Sequence, residues 1–270
     1  MDNQPAIVVA MLWMAFAGTH VGLATRRVRG ALVVRLGENG FMNLFSLVAT
    51  ILYAALVAWY AMHRFAGAPG LALGRVPVLR EALIAMIVAG VALAVAGLAA
   101  YPRLPSALYD QPIGAPRGIE RITRHPFFAG VALVAIAHVL LATRLVGAVF
   151  AAGFAVLAIA GAWHQDRKLA RRRGRTYADH LAATSAVPLA AVVGGRQRLA
   201  WRDLPLAALA TGIVLAIVLR MVHDRMFAYG GAGVILAVVA GGALASWQAA
   251  RRAQRIAMRD AAATGRAYSM

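Results

Sequence analysis

Arg124-His125-Pro126-Phe127-Phe128-Ala129-Gly130-Val131-Ala132-Leu133-Val134-Ala135-Ile136-Ala137-His138-Val139-Leu140-Leu141-Ala142-Thr143 decides the fold of this chain of 270 residues. The seventeen residues from Phe127 to Thr143 suit hydrocarbon, with His138 their one ionisable side chain. Such a run approaches the roughly 20 residues that a helix needs to cross a bilayer. Arg121, Arg124 and His125 stand immediately before it. Ionisable groups at a membrane boundary are costly and tolerated for a reason, so His125-Pro126 marks where chemistry is to be sought.

The same reading extends in both directions. Apolar runs recur at Pro5–Ala24, Asn43–Met62, Ala82–Ala100, Leu145–Trp163, Leu204–Val222 and Phe227–Trp247. The whole chain is 61% hydrophobic and 14% charged, where soluble domains sit near half and about a quarter. These runs predict an all-α polytopic transmembrane bundle of about seven helices in contact with lipid. Pro5–Ala24 follows Asp2 rather than a positive segment and no small-residue cleavage site follows it, so it reads as a retained helix. The chain has no cysteine, which removes disulfides, thiolate catalysis and Cys-ligated zinc or iron–sulfur centres.

The net charge of +18 lies in the connections between apolar runs rather than on one soluble face, which argues against nucleic acid. Loops rich in Lys and Arg remain on the inner side of a membrane. With the N-terminus outside, the inward connections carry 22 Lys and Arg residues and the outward ones 6. The expectation is N-terminus out and C-terminus in. Residues 1–225 read as one transmembrane domain, and 226–270 as an additional transmembrane helix with a basic cytoplasmic tail.

Asp166-Arg167-Lys168 to Arg173 predicts a basic helical extension stopped by Gly174. Tyr177, His180, Leu181 and Val187-Pro188-Leu189 suit a short amphipathic helix at the inner surface. Ser106–Pro116 is an irregular lead-in to the fourth helix, and almost nothing separates the fourth run from the fifth. The topology puts His20, His125 and His164 at inner helix ends, with His63, His138 and His223 on the outer side. His63, His180 and His223 suit the headgroup region as amphipathic side chains. His138 lies thirteen residues beyond His125, roughly 20 Å along a helix, so one small site does not use both directly. Arg121 and Arg124 beside a helix N-terminus favour an anion such as a ligand carboxylate or phosphate. His125 also suits a helix cap ahead of Pro126 at the first helical position.

Three blocks carry a family resemblance. The first runs Thr19-His20-Val21-Gly22-Leu23-Ala24-Thr25-Arg26-Arg27-Val28-Arg29 and continues through Leu36-Gly37-Glu38-Asn39-Gly40-Phe41. The second is Ile122-Thr123-Arg124-His125-Pro126-Phe127 with Ala137-His138 downstream. The third is His164-Gln165-Asp166-Arg167-Lys168-Leu169, followed by Thr184-Ser185-Ala186-Val187-Pro188-Leu189. Together they resemble the NnrU family of integral membrane proteins over about residues 15 to 225.

The resemblance implies two chemistries. The family is linked to denitrification in bacteria, which implies a bacterial inner membrane, and its plastid zeta-carotene isomerase branch implies haem b held by histidine. On that branch His20 is the first axial-ligand candidate, with His125, His164 or His138 as the second; two ligands must approach a flat ring from opposite faces. The wider superfamily includes isoprenylcysteine carboxyl methyltransferase. There Arg124-His125-Pro126 and Gly174-Arg175-Thr176-Tyr177 resemble segments that hold S-adenosylmethionine, although Gln165 and Asp166 stand where that family has paired glutamates. The expected function is a haem-b-linked role in nitrogen-oxide metabolism or the redox isomerisation of an apolar small molecule. S-adenosylmethionine-dependent methyl transfer and a non-enzymatic assembly role are the alternatives.

Overall fold

The computed structural model describes residues 2–101, 104–105 and 112–244; the basic tail from Arg251 onward and Ser106–Gln111 lie outside them. Among the described residues the regular structure is helical, with a lone bridge between Pro69 and Arg144. The helices are α1 (Gln4–Ala24), α2 (Arg26–His63), α3 (Pro77–Ala100), α4 (Pro126–Leu141), α5 (Leu145–Arg173), α6 (Arg175–Ala183), α7 (Ala190–Val193) and α8 (Leu206–Val222). Among the described residues five segments are long and apolar enough to cross a membrane: Gln4–Leu23, Arg27–His63, Pro77–Ala100, Leu145–Arg173 and Leu206–Arg225. Pro126–Leu141 and Ala228–Leu244 are shorter apolar helices. The first six apolar runs thus appear as helix, α4 being shorter than a full span, and the seventh is helical as far as Leu244, the last residue described. At 16 residues α4 extends about 24 Å.

The chain forms two compact units, one of residues 1–18 and 62–223, the other of 19–61 and 224–270. In the first, α3 packs on both α4 and α8, and α4 packs on α5. Small residues allow this closeness: a Cβ on Gly90 would stand 2.8 Å from the Gly130 carbonyl oxygen, and one on Gly97 would strike the Phe127 backbone nitrogen. Where lipid surrounds the helices, such van der Waals fit replaces much of the hydrophobic drive. Leu93, Ala96, Leu104, Ile119 and Ala129 form a buried cluster under this seam. Trp13 fits the surface of α5 at Gly153; its indole N–H donates to the Phe150 carbonyl at 3.1 Å.

In the second unit α2 is interrupted at Gly37 (φ 70, ψ 170), a conformation that glycine adopts without a Cβ penalty. Helix therefore begins at Arg26, well before the apolar run at Asn43. Arg29 pairs with Glu38 across the interruption, and Tyr60 meets Phe227 edge-on at 4.9 Å.

Candidate functional site

Pro126 opens α4 as its first helical residue, and His125 is the cap: its carbonyl accepts the Ala129 N–H at 2.8 Å. Proline suits this position because it lacks a donor that would in any case be unsatisfied. The segment ahead of α4 is tied to the strap that follows α6. Arg124 N–H donates to the Ser185 carbonyl at 2.9 Å, and Leu189 N–H to the Ile122 carbonyl at 2.8 Å. Buried Thr123 donates its hydroxyl to the Ala186 carbonyl at 2.8 Å and accepts the His125 N–H at 3.2 Å. The strap is held in turn by Arg196, whose Nη1 donates to the carbonyls of Ala182 and Thr184, each at 2.9 Å.

This scaffold brings three side chains from two places in the sequence onto one carboxylate. Asp166, late in α5, accepts from Arg124 in a fork, Nε at 3.0 Å and Nη2 at 2.7 Å on Oδ2. Its Oδ1 accepts His125 Nε2–H at 2.7 Å and the Tyr177 hydroxyl at 2.6 Å. Arg124 and Asp166 are each 15% exposed and His125 6%. Charge-assisted bonds of this length are about twice as strong as neutral ones. Burial, together with Asp166, pushes the Tyr177 phenol well above its ordinary range, so it acts as a donor and not as a phenolate.

Tyr177 stacks on His180 with ring centroids 5.7 Å apart and planes 18° apart. His180 is buried, and its Nδ1 has no hydrogen-bond partner. Burial lowers the imidazole pKa, with the Arg124 charge lowering it further against the opposing pull of Asp166. Tyr101, Leu104, Arg124, His125, Phe127, Phe128, Tyr177 and His180 line a cleft of about 20 Å³, room for about one water molecule.

The remaining residues singled out in the sequence fall elsewhere. Arg121 reaches Asp203 at 3.5 Å and donates to the carbonyls of Pro116 and Arg198, each at 3.2 Å. His164 lies on α5 two residues before Asp166 with an exposed side chain. His138 donates Nδ1–H to the Val134 carbonyl at 2.7 Å, and its ring stands 6.0 Å from that of His223. His20 belongs to the second unit, where it is exposed with its ring 4.6 Å from Phe45.

Among the described residues no three His, Asp or Glu side chains form a group able to hold a metal ion. Haem needs only one or two imidazoles, because the porphyrin supplies the other ligands. The cleft beside His125 is too small for that ring, and His125 Nε2 is engaged by Asp166. His20 and His164 have exposed side chains on apolar helices. His138 has the Nδ1–H to carbonyl bond that orients a ligating imidazole through Nε2.

Two participants lay outside the reading of the sequence. In the sequence Asp166 stands out as the start of a basic helical extension and as a departure from paired glutamates, not as a hub, although it is the sole acid between Glu120 and Asp179 in a strongly basic stretch. His180 was assigned to the headgroup region and is instead enclosed. Its i, i+3 spacing from Tyr177, which puts both rings on one helix face, was the available signal.

The chain is similar to known proteins along most of its length. It is 32% identical over 202 residues to the chloroplastic 15-cis-zeta-carotene isomerase of Arabidopsis thaliana, a match covering 73% of this chain and 53% of that protein. To the protein of the same description from Zea mays it is 28% identical over 204 residues, covering 73% and 54%. The chain thus spans about half the length of the curated relatives it matches. No solved structure matches it. The NnrU protein family profile matches residues 8–230, and the chain belongs to that family.

Proposed function

We propose that this chain is a membrane enzyme that isomerises double bonds in an apolar, carotenoid-like substrate held among its helices. The observation that carries the reading is the 32% identity to a 15-cis-zeta-carotene isomerase across 73% of the chain. The architecture agrees with it: apolar helices long enough to cross a membrane offer a hydrocarbon the same solvent that its bilayer does. The Asp166 cluster supports the reading as the frame that fixes the N-terminal end of α4 and its aromatic residues Phe127 and Phe128.

Haem b is the cofactor we propose for this reading, with His20 the first candidate for an axial ligand and His164 and His138 each a separate candidate. When bound, it supplies a one-electron redox centre. The chain's own residues exclude water from the apolar interior and hold the helix ends through Arg124, His125, Asp166 and Tyr177. The test is incubation of the purified protein, reconstituted in lipid nanodiscs with haem, with 15-cis-zeta-carotene, followed by chromatographic separation of the isomers. Conversion to another isomer, reduced at least tenfold in His20→Ala, is the expected result. An unchanged isomer ratio with a protein that shows a haem Soret band removes the isomerase reading; absence of the band removes the cofactor.

A further inference from the structure

His180 is an anomaly that the cluster around Asp166 does not explain. A buried acceptor without a donor loses its hydration and gains nothing in return, and buried side-chain polar atoms in folded proteins are overwhelmingly paired. The ring is held in its stack on Tyr177, while Nδ1 meets no partner. With the proton on Nε2, Nδ1 is a bare acceptor. Burial first, and then the Arg124 charge against the opposing pull of Asp166, disfavours a charge on His180, so a neutral donor is the better match.

The cleft that contains His180 is sized for one oxygen atom, about 20 Å³, with Arg124 in its lining. Arg124 commits Nε and Nη2 to Asp166, and a guanidinium carries five donors in all. The other walls are the amide Gln165 and the aromatic and apolar Tyr101, Leu104, Phe127 and Phe128. A neutral oxygen that both donates and accepts, attached to an apolar body, satisfies each of these features.

We infer that the cleft at the start of α4 receives the hydroxyl terminus of an otherwise apolar ligand, with the O–H donating to His180 Nδ1. Ligands of this kind are alcohols of long unsaturated or isoprenoid chains, their hydrocarbon lying along Phe127 and Phe128. The inference rests on the reading of an apolar substrate and adds that a ligand carrying one hydroxyl end binds more tightly than the hydrocarbon alone.

The test uses all-trans-retinol and the matched hydrocarbon in which hydrogen replaces its hydroxyl. Each is titrated into the full chain in nanodiscs and followed by energy transfer from tryptophan to the polyene. The expected result is about tenfold tighter binding of the alcohol, the worth of one buried hydrogen bond. His180→Phe, which keeps the stack on Tyr177 without an acceptor, loses that preference and still binds the hydrocarbon. His180→Gln, which keeps an acceptor, restores part of it. Equal affinity of the wild-type chain for both polyenes overturns the inference while leaving an isomerase of hydrocarbons intact. A preference that persists in His180→Phe also overturns it, since the hydroxyl then binds elsewhere and an ordered water fills the cleft. Binding of neither polyene overturns both readings.

Discussion

At the scale of single residues, Asp166 is the keystone of the site, because three donors from distant positions converge on it. A largely buried pair that loses one partner typically costs 3–5 kcal/mol, roughly, because the other charge is left uncompensated. Asp166→Ala strands Arg124 at 15% exposure, so it should lower the thermal midpoint strongly in detergent, by about 3 kcal/mol of stability. Tyr177→Phe removes one hydroxyl and keeps the stack on His180, so its cost should be only about 1 kcal/mol. Differential scanning fluorimetry on the two variants checks the order; a Tyr177→Phe loss equal to that of Asp166→Ala contradicts the hub assignment. His180 adds a dependence on pH. Its pKa is lowered from 6.5 in the folded chain by burial, so the unfolded chain takes up a proton first as pH falls. The stability contributed by the neutral ring is complete above the unfolded value and is lost as pH falls through the lowered folded value. Thermal midpoints between pH 7.5 and 4.5 should therefore fall more steeply for the wild-type chain than for His180→Phe.

At the scale of elements, the packing of α3 against α4 depends on glycines rather than on large side chains. A Cβ on Gly130 would collide with the Gly90 carbonyl oxygen and with the Ala94 backbone, neither of which is a flexible side-chain end. Gly18 and Gly22 have nothing within 4 Å of the equivalent position. Gly130→Val should accordingly separate α3 from α4, displace Phe127 and Phe128, and destabilise the protein by about 1–3 kcal/mol or more. Gly18→Ala should be neutral or slightly stabilising, since alanine in a helix is favoured over glycine by roughly 0.5–1 kcal/mol. Paired thermal unfolding of the two variants distinguishes a contact seam from a general intolerance of side chains in these helices. The sequence announced such close packing only as an abundance of glycine and alanine. Which glycines face a neighbour depends on helix rotation, and apolar residues surround most of each membrane helix, so no polar face reveals it. The end of α5 was more legible: the basic extension through Arg173 and the stop at Gly174 (φ 53) follow from a charged last turn and a glycine cap. The helix from Arg26 to Leu36 was not legible, because arginines interrupt the apolar run there without disfavouring helical backbone.

At the scale of the whole molecule, the apolar runs anticipated the helices because a membrane leaves so few ways to satisfy backbone groups. Arg124-His125-Pro126 was found for the same reason, as an oddity against an apolar background. Asp166 was not, because its partners lie 42, 41 and 11 residues away and only folding selects them. The distribution of charge still yields a testable arrangement across the bilayer. With 22 Lys and Arg residues in alternate connections against 6 in the others, the connection between α2 and α3 should face outward and the end of α5 inward. The chain has no cysteine, so single cysteines report position without background. Phe65, 74% exposed, and Arg172, exposed at the end of α5, are suited to this. In intact bacterial spheroplasts Phe65→Cys should react with a membrane-impermeant maleimide, while Arg172→Cys should react only after lysis. The reverse pattern would put the N-terminus inside and turn the start of α4, with Arg124, His125 and the Asp166 cluster, to the opposite face. Labelling of both before lysis would place an even number of crossings between residues 65 and 172, which requires one of α3, α4 and α5 not to span. Since α4 is the shortest of the three, it is the helix that such a result would remove from the count.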